Sequence, residues 1–162
     1  MILDAGPARV GLESTVLDLT GDHLRVLRPG PISVRELQRS LGGLQIEDAS
    51  SHASKEPSPL SPGQFPIHYA PKTKAIRVEG DRLGEFVLNG PSALLTFANY
   101  RIPESPRFQK ITTFRTPEMA AENLYRLLHE WDDEGFSQIV VVLPPDEPDW
   151  RAVRDRLERA TQ

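Results

Sequence analysis

Cysteine is absent from the 162 residues, which excludes disulfides, thiolate zinc sites and cysteine nucleophiles together. A chain without thiols suits a reducing compartment, and a cytoplasmic location is expected. Long apolar runs are missing too. None approaches the roughly 18 residues of a membrane span, so no membrane association is expected. The opening Met1-Ile2-Leu3-Asp4-Ala5-Gly6-Pro7 has neither a basic n-region nor a long apolar h-region, so it does not read as a secretory signal. Positive charge is scarce, with 19 Lys and Arg against 23 Asp and Glu and a net −4. That balance argues against a broad nucleic-acid footprint, while leaving room for a local basic pocket. His23, His52 and His129 stand at no ligand spacing, and no protein-built metal site is expected. No Gly-x-Gly-x-x-Gly and no Walker-type loop is present. Hydrophobic residues, at 38%, still suffice for a core.

Proline, by contrast, is abundant at 15, and it is clustered. Pro57, Pro59, Pro62, Pro66 and Pro71 fall between Asp48 and Thr73, among Ser50, Ser51, Ser54, Ser58 and Ser61. Proline fixes φ and removes a backbone donor, so neither a helix nor a central strand runs through here. Residues 48–73 read as a linker, semi-rigid where the prolines are dense. It separates residues 1–47 from residues 74–162. The latter carry 12 basic and 15 acidic residues, most of the negative balance.

Before the linker, residues 9–30 read as a hairpin. Glu13 to Leu19 is rich in β-formers, Thr20-Gly21-Asp22 is a turn signal, and His23 to Arg28 is the second strand. Pro29-Gly30-Pro31 ends it. Ser33-Val34-Arg35-Glu36 matches a capping box, opening a short helix with Leu37 and Leu41 on its apolar face. Gly42-Gly43 stops that helix. So small a piece makes a poor core. It either docks on the rest of the chain or belongs to a larger sheet. Ile2 to Pro7 looks like a strand end and a tight turn, which favours the larger sheet.

After the linker, strand and helix patterns alternate. Lys74 to Val78, Ser92 to Phe97, Lys110 to Phe114 and Gln138 to Leu143 read as strands. Asp81 to Leu88 reads as a helix. Thr116 caps another helix with Pro117 at its first position, and Ala120, Leu124, Leu127, Leu128 and Trp131 form its apolar stripe. Asp149 to Thr161 is a final helix with Val153 and Leu157 facing inward. Such alternation implies an α/β fold: a small three-layer, Rossmann-like domain with a mostly parallel sheet and helices on both faces. That shape by itself carries no cofactor. The acidic run Glu130, Asp132, Asp133 and Glu134 reads as a solvated helix end.

Three clusters hold residues suited to chemistry. In Gly11-Leu12-Glu13-Ser14-Thr15-Val16, the adjacent hydroxyls of Ser14 and Thr15 suit either a polar ligand or ordinary strand positions. In Leu27-Arg28-Pro29-Gly30, Arg28 sits just before a turn. Its planar fork matches a carboxylate or phosphate, unless it is simply a surface arginine. In Ser61 to Lys72, His68 and Tyr69 stand in the linker. A His-Tyr pair there either hydrogen-bonds a phosphate and stacks on a base, or anchors a hinge.

Together these residues resemble the threonylcarbamoyl-adenylate synthase family in its two-domain form, a YrdC-like domain joined by a linker to a Rossmann-like domain. The resemblance rests on Leu3 to Pro7, Val10 to Asp18, Leu27 to Gly30, Ser61-Pro62-Gly63, His68-Tyr69-Ala70-Pro71-Lys72 and Ala152 to Leu157, in that order. It covers essentially the whole chain. It implies that residues 1–47 are the last strands of a YrdC-like domain, whose greater part, with its upstream basic residues and Ser-x-Asn-type motif, is missing. One departure lies in the linker, where family members often carry a Met and basic residues between Pro-Gly and His-Tyr. Gln64, Phe65, Pro66 and Ile67 stand there instead.

The resemblance also implies a chemistry. The family condenses L-threonine, bicarbonate and ATP into threonylcarbamoyl-adenylate and pyrophosphate, and the threonylcarbamoyl group goes to an adenosine beside the anticodon of certain tRNAs. Carried over by position, Ser14 and Thr15 line the threonine and adenylate pocket. Arg28 pairs with a substrate carboxylate or phosphate. His68 and Tyr69 cover the nucleotide as the linker folds over. Mg²⁺ is implied on the triphosphate, brought by the substrate. The residues also admit a non-enzymatic module that docks on or regulates a separate YrdC-like protein, and a generic nucleotide-binding α/β domain. On the family reading, the 162 residues alone are expected to be inactive.

Overall fold

A computed structural model of the protein describes residues 1–4, 6, 10–49, 70–86, 88–97, 100, 102 and 108–161. The chain forms two sheets. In the first, β1 (Val16–Asp18) pairs antiparallel with β2 (Leu24–Arg28), as expected for a hairpin. Asp18 faces Arg25 in the register, and the Arg25 guanidinium donates to its carboxylate at 2.7 Å. The same carboxylate accepts the N–H of Thr20 at 2.9 Å and its hydroxyl at 2.7 Å, closing the turn from inside. Helix α1 (Val34–Ser40) opens with the expected capping box: Glu36 N–H donates to the Ser33 hydroxyl, and Ser33 N–H to the Glu36 carboxylate. Gly42 and Gly43, at φ 70 and 83, release the chain from the helix.

A third strand, β3 (Ile46–Asp48), then pairs parallel with β2. The sequence reading places its last residue at the start of the linker. Three residues with only Ile46 buried make too short a signal to read without the partner strand. Helix α1 differs as well. It buries none of its residues, and Leu41 is 39% exposed. At the start, Gly6 N–H donates to the Asp4 carboxylate at 2.8 Å, and residues 1–4 form no strand.

The second sheet is built from β4 (Ala75–Val78), β5 (Ser92–Phe97), β6 (Phe108–Phe114) and β7 (Gln138–Val142), all parallel, in the order β4-β7-β5-β6. Every residue of β5 and β7 is buried. That explains why both read as continuous apolar runs and not as alternations. Helices α2 (Pro117–Asp133) and α3 (Arg151–Ala160) pack side by side on one face. Leu124, Leu128, Trp131, Val153 and Leu157 meet Ala93, Leu95, Ile139 and Val141 there. Each such Leu contributes about 1.5–3 kcal/mol by leaving water.

The opposite face carries Leu94, Val140 and Val142, covered by Leu83 and Leu88. The expected helix from Asp81 is a 3-10 turn over Gly80–Glu85, with Leu83 its only buried residue. Glycine at both Gly80 and Gly84 disfavours a longer helix. Gly80 is also required by contact, since a Cβ there would stand 1.9 Å from the Tyr100 ring. Among the described residues, no helix is long and apolar enough to cross a membrane.

Candidate functional site

The segment from Gly11 to Thr15 alternates between anchoring and presenting. Gly11 lies against the backbone of α2, donating its N–H to Ala121 O at 3.1 Å. A Cβ at Gly11 would stand 2.7 Å from Glu122 O, so no side chain fits. Leu12 is buried in the core beneath α2 and α3. Glu13 reaches α3, and Ser14 and Thr15 then run into β1. Two hydrophobic strands do not by themselves dictate this path. The small Gly11 and the apolar Leu12 do, because one admits the helix backbone and the other fills the space beside it.

Arg28 closes over this segment from β2. Its Nε donates to Ser14 O at 3.1 Å and its Nη2 to Ser14 Oγ at 3.3 Å. The Thr15 hydroxyl donates to Ile32 O at 2.8 Å and accepts from Ile32 N–H at 3.2 Å, so it holds the Pro29–Ile32 turn. Gly30 fits between them. A Cβ there would meet Thr15 N at 2.2 Å and Glu13 O at 2.7 Å. The structure therefore brings Ser14, Thr15 and Arg28 into one group. His68 and Tyr69 lie outside the described residues.

The residue that ties this group to the C-terminal domain is Arg156, which the sequence reading names only within the Ala152–Leu157 resemblance. Its side chain is 3% exposed. Nε donates to the Glu13 carboxylate at 2.8 Å, Nη2 to Pro29 O at 3.1 Å, and Nη1 to Asp155. Asp155, itself buried, also accepts from Arg159 at 2.9 Å. Burial works against the charge on Arg156, but the hydrogen bond to Glu13 and the nearby Asp155 outweigh it and hold the guanidinium protonated above its ordinary range. Tyr125 adds a longer contact to Glu13 at 3.4 Å. A second tie joins Arg151 at the start of α3 to Asp48 at the end of β3, at 2.8 Å.

The acidic run at the end of α2 is more than a solvated helix end. Asp132 accepts the N–H groups of Lys72 at 2.8 Å and Thr73 at 2.6 Å, where the chain enters the second sheet. Burial pushes the Asp132 carboxyl up, yet these backbone bonds and the Lys72 charge outweigh it, leaving the group below its usual value. Lys110 pairs with Glu134, and Arg126 with Glu130.

A cavity of about 1100 Å³ opens between β2–α1 and the starts of α2 and α3. Arg35 and Arg39 line one side, Glu118, Glu122 and Asp149 the other, while Pro29 and Gly30 form part of its wall. Ser14, Thr15 and Arg28 do not line it. The polar group thus meets the cavity at the Pro29–Ile32 turn. Among the described residues, no cluster of three His, Asp or Glu converges as a cation site.

This arrangement has counterparts. The family model described as "Threonylcarbamoyl-AMP synthase, C-terminal domain" matches residues 32–162. Threonylcarbamoyl-AMP synthase of Pyrococcus abyssi is 29% identical over 99% of this chain and 48% of its own length. The Bacillus subtilis enzyme of that name is 29% identical over 98% and 48%. The chain thus spans about half the length of these curated relatives. A crystal structure of the P. abyssi protein, Sua5, complexed with L-threonine superposes with a TM-score of 0.77 and 25% identity, over 98% of this chain and 48% of that one. With the family model and the solved neighbour in agreement, the chain belongs to the threonylcarbamoyl-AMP synthase C-terminal domain family.

Proposed function

We propose that the chain supplies part of an L-threonylcarbamoyladenylate synthase serving threonylcarbamoyladenosine formation in tRNA. In this reading the threonine amine and bicarbonate give a carbamate and water. A carbamate oxygen then attacks the α-phosphorus of ATP, forming threonylcarbamoyl-AMP as pyrophosphate leaves. The observation that carries the reading is the Arg28–Ser14 pair held against the Gly30 turn. A guanidinium fixed at a strand end beside an exposed hydroxyl suits an anionic, hydroxyl-bearing ligand. The L-threonine in the relative's crystal structure supports that choice.

Adenylation needs positioning and charge neutralisation more than an acid–base pair. Arg28 neutralises a threonine carboxylate or a phosphate, Ser14 hydrogen-bonds the same ligand, and Thr15 keeps the turn in place. His68 and Tyr69 are assigned the nucleotide side by family resemblance. A divalent ion enters as the companion of the triphosphate, as part of the substrate. A cytosolic setting goes with this chemistry. Spanning half the relatives' length, the 162 residues alone are expected to release no pyrophosphate.

The test is titration calorimetry with L-threonine on the full chain mixed with the portion of the P. abyssi relative that it does not cover. Binding of L-threonine, with L-alanine at least about tenfold weaker because its lost hydroxyl leaves a partner unpaired, is the expected result. Equal binding of both amino acids, or of neither, contradicts the reading.

A further inference from the structure

We propose that Arg156 is a positioning residue: through its fork, helix α3 sets the spacing between the Ser14–Thr15 and Arg28–Gly30 segments, and with it the affinity of the site for an amino-acid carboxylate or a phosphate. The inference rests on the proposed function for the ligand, and on geometry for the rest. The two segments are strand ends separated by a hairpin, joined in the ladder by Val16 opposite Arg28, with a register shift immediately after that pair. Such an irregularity interrupts the ladder locally, so the spacing of the ends is set by contacts beyond the strand pairing. To the direct Arg28–Ser14 and Thr15–Ile32 bonds, Arg156 adds a constraint from outside the sheet. One planar group bonds the carboxylate of Glu13, one residue before Ser14, and the carbonyl of Pro29, one residue after Arg28. Asp155 holds the remaining face of the fork, and Arg159 holds Asp155.

The geometry requires an arginine. Its donors lie at fixed angles in one plane, so two acceptors bound to it are fixed relative to each other. A lysine carries the same charge on a single nitrogen and imposes no such spacing. Three-way burial at 3% exposure leaves no room for water to substitute for the fork. Arg156 touches neither Ser14 nor Arg28 by any of these bonds, and so acts on the ligand through the backbone of both.

Amide hydrogen exchange and L-threonine titration on the mixed pair test this in Arg156→Ala, Arg156→Lys and Glu13→Ala. The expected result for Arg156→Ala is exchange at least about tenfold faster in residues 11–16 and 27–32, unchanged exchange in β5 and β7, and L-threonine affinity at least about tenfold weaker. Arg156→Lys stays within about threefold of Arg156→Ala, because charge without the fork does not restore spacing. Unchanged affinity in Arg156→Ala, or recovery in Arg156→Lys, overturns the proposal while the function stands. Should Arg156→Ala also loosen β5 and β7, Glu13→Ala decides: it removes the acceptor of Nε while leaving Arg156, Asp155 and the Pro29 bond in place, and an affinity equal to the parent overturns the proposal. Failure of the unsubstituted pair to bind L-threonine overturns both, and shows in that arm alone.

Discussion

Arg156 and Glu13 stand 143 positions apart and meet at 2.8 Å, one on the last helix and the other at the entrance to the first strand. Their contact makes the two ends of the chain one unit. Arg156 is buried and Glu13 half-buried, so removing the carboxylate leaves a buried guanidinium with one acidic partner fewer, which is costly. Gly11, Leu12, Glu13 and Pro29 are where the small N-terminal segment meets α2 and α3.

The Gly30 turn gives the first prediction. A methyl at Gly30 meets backbone atoms of Thr15 and Ser14 at 2.2 and 2.6 Å, and backbone cannot rotate away. Gly30→Ala is expected to cost at least about 1–3 kcal/mol and to separate Arg28 from Ser14. Gly84→Ala, where nothing lies within 4 Å, is the control and is expected to stay within about 0.5 kcal/mol of the parent. Denaturant midpoints of the two variants check the difference.

Arg28 gives the second. It donates to the carbonyl and the hydroxyl of Ser14, just before β1, and it is absent from both hydrophobic clusters of the second sheet. Arg28→Ala is therefore expected to keep the fold and to weaken L-threonine or ATP binding by about tenfold to a hundredfold, the worth of a charge-assisted hydrogen bond. A circular dichroism spectrum and a calorimetric titration on the same sample separate the two effects.

Much of this was legible locally. The hairpin, the Ser33–Glu36 capping box, the Thr116-Pro117 helix start and the apolar runs of β5 and β7 are each written in a few consecutive residues. That Arg28 ends a strand is legible because Pro29-Gly30 follows it; that it reaches Ser14 is not. What escaped is non-local. β3 exists only because β2 is there to pair with it. Asp132 looked like one more surface carboxylate until the amides of Lys72 and Thr73 reached it. Arg156 sits among Arg154 and Arg159 in a charged helix, and the spacing alone does not say which arginine turns inward. Leu37 and Leu41 mark an apolar face on α1, of which the described residues half-bury Leu37 and leave Leu41 exposed.

Acid provides the third prediction. The Asp18 carboxyl, held by the Thr20 side chain and amide and by Arg25, is lowered from 3.8 to about 2. Glu36, held by the Ser33 amide and hydroxyl, and Asp132 move in the same direction. The unfolded chain therefore takes up protons first, and these groups stabilise the fold fully above their ordinary pKa values. Stability is expected to fall as pH drops from about 4 towards about 2. Asp18→Asn should be less stable than the parent at neutral pH and lose less over that acid interval. Denaturant midpoints taken across the interval check the sign.

The most direct test of the central claim is pyrophosphate release by the full chain mixed with the portion of the P. abyssi relative that it does not cover. The account predicts release that requires ATP, L-threonine and bicarbonate together, that is absent from either partner alone, and that drops at least about tenfold on Arg28→Ala. Release that proceeds without L-threonine, or that is indifferent to Arg28, would contradict it.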